Sequence, residues 1–101
     1  MDIRILHYFV TIAQEKNITR AAERLLITQP TLSRQLKELE EELGVSLFHR
    51  ANREMTLTED GQYLYNRAQE ILQLVSKTEE NLEGAAEYLI LPELQCREVF
   101  L

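Results

Sequence analysis

Short polar side chains and one guanidinium group crowd the first turns of a predicted helix that starts after Thr28. Gln29 offers an amide, Ser33 a hydroxyl and Arg34 a fork of N–H donors. Such groups match nucleic-acid base edges, where glutamine pairs with adenine and arginine with guanine. An ordinary capped helix start in water would use the same residue types. The candidate contact residues on this segment are Thr28, Gln29, Pro30, Thr31, Ser33, Arg34 and Lys37.

The helical periodicity of residues 29–43 predicts which way these side chains face. Four leucines fall within about 60° on a helical wheel and predict a buried ridge. They are Leu32, Leu36, Leu39 and Leu43. Arg34 and Lys37 lie opposite; a weak surface pair of Arg34 with Glu38, or simple solvation of Lys37, is the alternative. Polar and cationic residues first, with acids later, suit a helix that puts its first turns into the major groove.

Charge is unevenly distributed along the chain. The net charge is -6, which by itself argues against a nucleic-acid partner. Residues 1–57 nevertheless balance eight basic against eight acidic side chains, and residues 58–101 hold three basic and nine acidic ones. Between Lys16 and Lys37 there are five cations and a single acid, Glu23. We therefore expect a basic face in the first half of the chain and an acidic second half.

Hydrophobic spacing and capping residues predict three helices before residue 45. The first follows Asp2 and runs to about Glu15. The second starts near Thr19, its predicted cap, and uses Leu25 and Leu26 as apolar bulk. The third starts after Thr28 and ends at a left-handed cap on Gly44. Because so short a turn joins the last two helices, they predict a helix-turn-helix unit at about residues 18–37.

Residues 46–57 hold apolar side chains at Leu47 and Phe48 and again at Met55 and Leu57, on either side of a polar stretch. This pattern predicts a two-stranded hairpin. Arg50 and Arg53 flank its tip, where cations could reach phosphates or enter a minor groove. A solvated turn fits the same spacing equally well. A hairpin this short is marginal alone, so we expect it to pack on the helices.

A long helix follows, with Thr58 as its predicted cap and Pro92 as its predicted stop. Apolar positions recur every 3.5 residues from Leu64 to Leu89, which predicts a seam for a partner helix. Leu64 and Ala68 could instead pack on their own domain. The predicted dimer contacts are Ile71, Val75, Thr78, Leu82 and Ala85. Residues 92–101 have no clear pattern, and their role is open.

Catalytic and metal chemistry find little support in these residues. His7, His49 and Cys96 have no spacing typical of a metal site or a nucleophile, and we expect no catalytic residue, metal or cofactor. The acidic run Glu38–Glu42 is interpreted as a solvated face. No signal peptide or membrane span is expected, and the lone cysteine fits the cytoplasm.

The stretch AAERLLITQPTLSRQLKELEEELGVSLFHR, with LHYFVTIAQEKNITR before it and MTLTEDG after it, resembles the LysR-type transcriptional regulators. The resemblance implies a mainly α fold: three helices plus a two-stranded wing (about 46–57) in residues 1–58, then a linker and dimerisation helix at 59–91. It also implies sequence-specific binding of double-stranded operator DNA by a homodimer, or a higher oligomer, paired through that helix. It places DNA contacts on Thr28, Gln29, Pro30, Thr31, Ser33 and Arg34, and on Arg50 and Arg53 in the wing.

Members of that family continue into an effector-binding domain, so no effector site is expected within these residues. The ending LILPELQCREVFL does not resemble the usual continuation. A fragment, an altered reading frame and a naturally short protein each fit this ending. A second hypothesis, from another class, is a protein-interaction module that pairs with a full-length relative and blocks its assembly. Mixed dimers in native mass spectrometry would distinguish the two.

Overall fold

The computed structural model describes residues 1–50 and 54–90, with side chains up to Leu82. Six elements follow one another in chain order. They are α1 (Ile3–Glu15), α2 (Ile18–Leu25), α3 (Gln29–Leu43), β1 (Phe48–His49), β2 (Thr56–Leu57) and α4 (Glu59–Ile90). The predicted mainly α fold with a two-stranded wing is confirmed. The predictions for Arg53, for the side chain of Ala85, for a stop at Pro92 and for residues 92–101 lie outside the described residues.

Capping side chains start the first two helices. The Asp2 carboxylate accepts the N–H of Ile5 at 2.9 Å, as predicted. The second helix is capped by Asn17, whose side-chain oxygen accepts the N–H of Arg20 at 2.9 Å. The prediction of Thr19 as this cap was wrong, because Thr19 lies within the first turn of α2. Asn17 has the extended backbone of an N-cap residue, and its side chain accepts an N–H of the first turn that has no partner within the helix.

The turn of the helix-turn-helix unit is closed by a residue in the left-handed conformation. Leu26 has φ 60°, and its N–H is directed at the carbonyls of Ala22 and Glu23. Its side chain is 90% exposed, so the prediction that it adds apolar bulk to the core was wrong. The left-handed turn lets the chain reverse within three residues, and α3 then starts directly after Thr28.

The core of residues 1–70 forms where α1, α2 and α3 cross. Ala21 and Ala22 are buried on α2, and their small side chains leave room for a neighbouring helix to pack closely. Phe9 of α1 meets Phe48 of β1 with ring centroids 5.4 Å apart. The α3 ridge is confirmed for Leu32, Leu36 and Leu39. Leu43 is 38% exposed and does not belong to it, because the helix ends there.

The wing is a minimal antiparallel ladder that pairs Phe48 with Leu57 and His49 with Thr56. One backbone hydrogen bond attaches it to the end of α1, and a second closes the base of the hairpin. The N–H of Met55 donates to the carbonyl of Lys16 at 3.0 Å, and that of Thr58 donates to the carbonyl of Leu47 at 3.0 Å. Because Phe48 and Met55 are also buried, the short hairpin packs on the helices as predicted.

The long helix α4 starts at the predicted cap, since the Thr58 hydroxyl accepts the N–H of Gly61 at 3.0 Å. The chain divides into two units between Glu70 and Ile71. Leu64 and Ala68 are buried in the first unit, which agrees with the local packing proposed for them. Within the part of the chain that is described, no helix combines the length and hydropathy that a bilayer crossing requires.

Candidate nucleic-acid interface

The start of α3 presents a polar face away from the core. Thr28 has an extended backbone, and its hydroxyl accepts the N–H of Thr31 at 3.3 Å. Pro30 follows in the first turn, where the missing N–H costs nothing. The buried ridge of α3 fixes the rotation of the helix. The predicted residues on the other side are exposed at Thr28, Pro30, Arg34 and Lys37 and half-buried at Gln29, Thr31 and Ser33.

The polar side chains of this face pair with one another. The Gln29 amide nitrogen donates to the Ser33 hydroxyl at 2.7 Å, and the hydroxyl oxygens of Thr28 and Thr31 lie 2.7 Å apart. These groups are therefore held in place by neighbours one turn away. The glutamine amide has two N–H donors and an acceptor oxygen, and its bond to Ser33 uses a single donor. The bond to Ser33 therefore limits the rotamers of Gln29 and leaves its second N–H and its amide oxygen for an external partner.

Arg34 and Lys37 carry the positive charge of this face. Both side chains are exposed. The alternative for Arg34, an ion pair with Glu38, does not form: no carboxylate among the described side chains lies within 4 Å of its guanidinium. The charge of Arg34 therefore points to solvent at the centre of the exposed face.

Arg50 follows β1 and reaches back to α3. One guanidinium nitrogen donates to a carboxylate oxygen of Glu40 at 2.8 Å. The other oxygen of Glu40 accepts the N–H of Leu47 at 2.7 Å. The Glu40 side chain is only 12% exposed, so its assignment to a solvated acidic face was wrong, whereas Glu38, Glu41 and Glu42 are exposed as predicted.

A groove separates α3 from the base of the wing. It has a volume of about 430 Å³. Its lining residues are Ile18, Ser33, Leu36, Lys37, Glu40 and Arg50. Sequence reasoning selected Ser33, Lys37 and Arg50 but missed Ile18 and Glu40. No sequence pattern near Ile18 indicates that it lines a groove. Glu40 was missed because its hydrogen-bond partners lie seven and ten residues further along the chain.

Two other cations of the first half lie beside acidic side chains. Arg24 of α2 pairs with Glu15 at 3.1 Å. Arg20 borders a polar depression together with Glu15, Lys16, Asn17 and Glu54. The acids beside these cations reduce the local positive potential, so the unpaired cations of the α3 face are the stronger attraction for an anion.

The arrangement of three helices, a tight turn and a wing defines a winged helix-turn-helix protein. The model of the family described as "Bacterial regulatory helix-turn-helix protein, lysR family" matches residues 3–62. The chain therefore belongs to the lysR family. Within the described residues, no group of three His, Cys, Asp or Glu side chains is placed to hold a metal ion.

Named relatives and a solved structure agree with this assignment. The HTH-type transcriptional regulator BsdA of Bacillus subtilis (strain 168) is 60% identical over 73 residues, 71% of this chain and 25% of BsdA. The HTH-type transcriptional regulator BudR of Klebsiella aerogenes is 48% identical over 86 residues, 85% of this chain and 60% of BudR. The chain thus spans a quarter to three fifths of these relatives.

The crystal structure titled BenM_DBD/catB site 1 DNA complex superimposes with a TM-score of 0.83 at 40% identity. The match covers 85% of this chain and 96% of that one. The fold of the winged domain is therefore that of a domain crystallised with DNA.

Proposed function

We propose that this chain binds double-stranded DNA in a sequence-specific way, as the DNA-binding part of a transcriptional regulator. One observation carries the proposal: the start of α3 is exposed, polar and cationic, with Arg34 unpaired among the described side chains and aimed outward by the buried leucine ridge. The likeness to a domain crystallised with DNA supports the same role. Here α3 enters the major groove and the wing contacts the DNA backbone or minor groove.

Each predicted contact has a role that its chemistry suits. Arg34 reads a guanine edge, and Gln29 reads an adenine edge while Ser33 holds its amide. Thr31 offers a methyl group to thymine. Thr28 and Pro30 bring the positive end of the helix dipole towards a phosphate. Lys37, Arg50 and Arg53 contact phosphates or a minor groove.

The excess acid of the chain does not oppose this role. Residues 1–57 balance their charges, and the acidic excess belongs to residues 58–101. Electrostatic interactions between exposed charges fall off over about 10 Å at moderate salt, so cations that contact the DNA, such as Arg34 and Lys37, contribute more than their share of the net charge. Association should therefore weaken as salt rises, because bound counterions are released from the DNA.

We also propose that the chain acts as a homodimer, or as a higher oligomer, through α4. Among residues 71–82, Ile71 and Val75 are half-buried, and Thr78 and Leu82 are exposed. Leu74 and Leu82 are 66% and 67% exposed. Leucine side chains left in water favour association with a second copy. A two-fold dimer would bind two half-sites of an operator.

The proposed role is binding without catalysis, in the cytoplasm where a bacterial chromosome lies. Its relatives BsdA and BudR are named transcriptional regulators, which supports this view.

Selection of bound duplexes from a random pool, at near-physiological salt, tests the proposal. We expect enrichment of a motif with two related half-sites, whose spacing the dimer imposes. Recovery of no motif, together with binding that does not respond to salt, would contradict the proposed function.

A further inference from the structure

Glu40 is an acid at the edge of a surface that we propose meets an anion. Simple electrostatics assigns it a repulsive effect on DNA. Its geometry indicates a different role, because each carboxylate oxygen already accepts a hydrogen bond from the protein. One accepts from the N–H of Leu47 at 2.7 Å, and the other from the guanidinium of Arg50 at 2.8 Å.

These two bonds join α3 to both ends of β1. Leu47 directly precedes the strand, and Arg50 directly follows it. Leu47 is buried, while the Arg50 side chain is 49% exposed. The Glu40 carboxylate, 12% exposed, is screened from solvent more than an ordinary surface acid. Charge-assisted bonds in such a position are shorter and stronger than neutral ones, so they hold Arg50 in a defined orientation.

That orientation places Arg50 on the same groove as Lys37 and Ser33. The guanidinium has five N–H donors, and the bond to Glu40 occupies a single one. The remaining donors, the ammonium of Lys37 and the hydroxyl of Ser33 together suit one phosphate group. A planar guanidinium held at one corner is already ordered for such a bidentate contact, so less rotational entropy is lost on binding.

We propose that Glu40 is a positioning residue for DNA binding: it holds Arg50 so that Arg50 and Lys37 bind a backbone phosphate in the groove between α3 and the wing. The inference rests on the proposed DNA-binding function. Two effects of Glu40 oppose each other, repulsion of the phosphate and ordering of Arg50. The sign of the affinity change on removing the charge reveals which is larger.

The test variant is Glu40→Gln, which keeps an acceptor for the N–H of Leu47 and removes the charge that holds Arg50. Fluorescence anisotropy measures affinity across a salt series, on the duplex recovered by selection and on a mixed-sequence duplex. We expect affinity to fall about 3- to 10-fold on both duplexes, because a phosphate contact carries no sequence information. The slope of log K against log[salt] should become shallower by about 0.9, the loss of one phosphate contact.

Arg50→Ala completes a double-mutant cycle. It should show the same slope change, and the double variant should lose no more than Arg50→Ala alone, because Glu40 acts through Arg50. Glu41→Gln, an exposed acid on the same helix, is the matched control and should leave affinity unchanged or slightly higher. Arg50→Lys keeps the charge and should retain part of the slope.

Circular dichroism first establishes that each variant is folded at the assay temperature. If Glu40→Gln does not fold, the Arg50→Ala slope decides, and an unchanged slope overturns the inference. For a folded Glu40→Gln variant, higher affinity, or lower affinity with an unchanged slope, overturns it as well. Failure of the wild-type chain to bind any duplex in a salt-dependent way would instead refute the proposed function.

Discussion

At a polar helix start, side chains are expected to bond to water or to a ligand. Gln29 and Ser33 instead form a hydrogen bond to each other at 2.7 Å. Sequence alone assigns these groups to solvent or to a ligand. The structure adds that each is held by a partner one turn away, as Thr28 and Thr31 also are. A restrained side chain loses less rotamer entropy when it binds. The polar side chains at the start of α3 are therefore partly ordered before a ligand binds.

Gly61 is a position where a single added methyl group has a large effect. A Cβ built there would lie 2.1 Å from the carbonyl oxygen of Leu47 and 3.0 Å from a Leu57 methyl carbon. Gly61→Ala gains about 1 kcal/mol of helix propensity. Overpacking against backbone costs about 1–3 kcal/mol or more. Because the contact is with backbone, the cost lies in the upper part of that range, and we expect a net loss of about 1–2 kcal/mol in the free energy of unfolding, measured by urea denaturation.

Gly44 provides the comparison for Gly61. It has φ 72°, and a Cβ there would meet nothing within 4 Å. Gly44→Asn should therefore be nearly neutral, because asparagine tolerates the left-handed region and the site is open. If Gly61→Ala were as well tolerated as Gly44→Asn, the close approach of α4 to Leu47 would be refuted.

The start of α2 gives a direct test of the helix-turn-helix unit. Asn17→Ala should reduce the free energy of unfolding by about 1 kcal/mol, because it removes the acceptor for the N–H of Arg20. Thr19→Ala, the matched control, should change stability by less than about 0.5 kcal/mol, because Thr19 is exposed within the first turn. Thermal unfolding of both variants measures the difference, and the opposite order of effects would contradict the structure.

Local patterns predicted the helices and the wing well. Two local details of α2 were wrong, its cap at Thr19 and the apolar role of Leu26, and the other errors arose where partners are distant. The cap at Thr28 and the end at Gly44 were predicted because capping depends on residues within one turn. Leu43 matched the periodicity of the ridge, but periodicity does not reveal that no neighbour covers the last turn. Glu40 fitted an acidic run, and its half-buried position depends on Leu47 and Arg50. The candidate site was therefore predicted on α3 but only partly at the wing.

The proposed dimer can be tested separately from DNA binding. Leu82→Glu should weaken self-association at least about tenfold, because each copy would place a charge where an exposed leucine is expected to be covered. Gln73→Glu, which adds the same charge at an exposed position of α4, is the control. Sedimentation equilibrium measures the dissociation constant. Equal effects of both variants would contradict the seam.

In the proposed complex with DNA, Arg34 reads a base edge. This role is tested by measuring the binding of Arg34→Ala to the selected duplex and to versions of it with one base pair changed at a time. We expect a loss of about 1–3 kcal/mol on the selected duplex and relaxed preference at one base pair. Arg67→Ala, which removes the same charge from an exposed pair with Glu70 on α4, is the control and should retain that preference. An equal loss for Arg34→Ala on every duplex, or no loss at all, would contradict the claim.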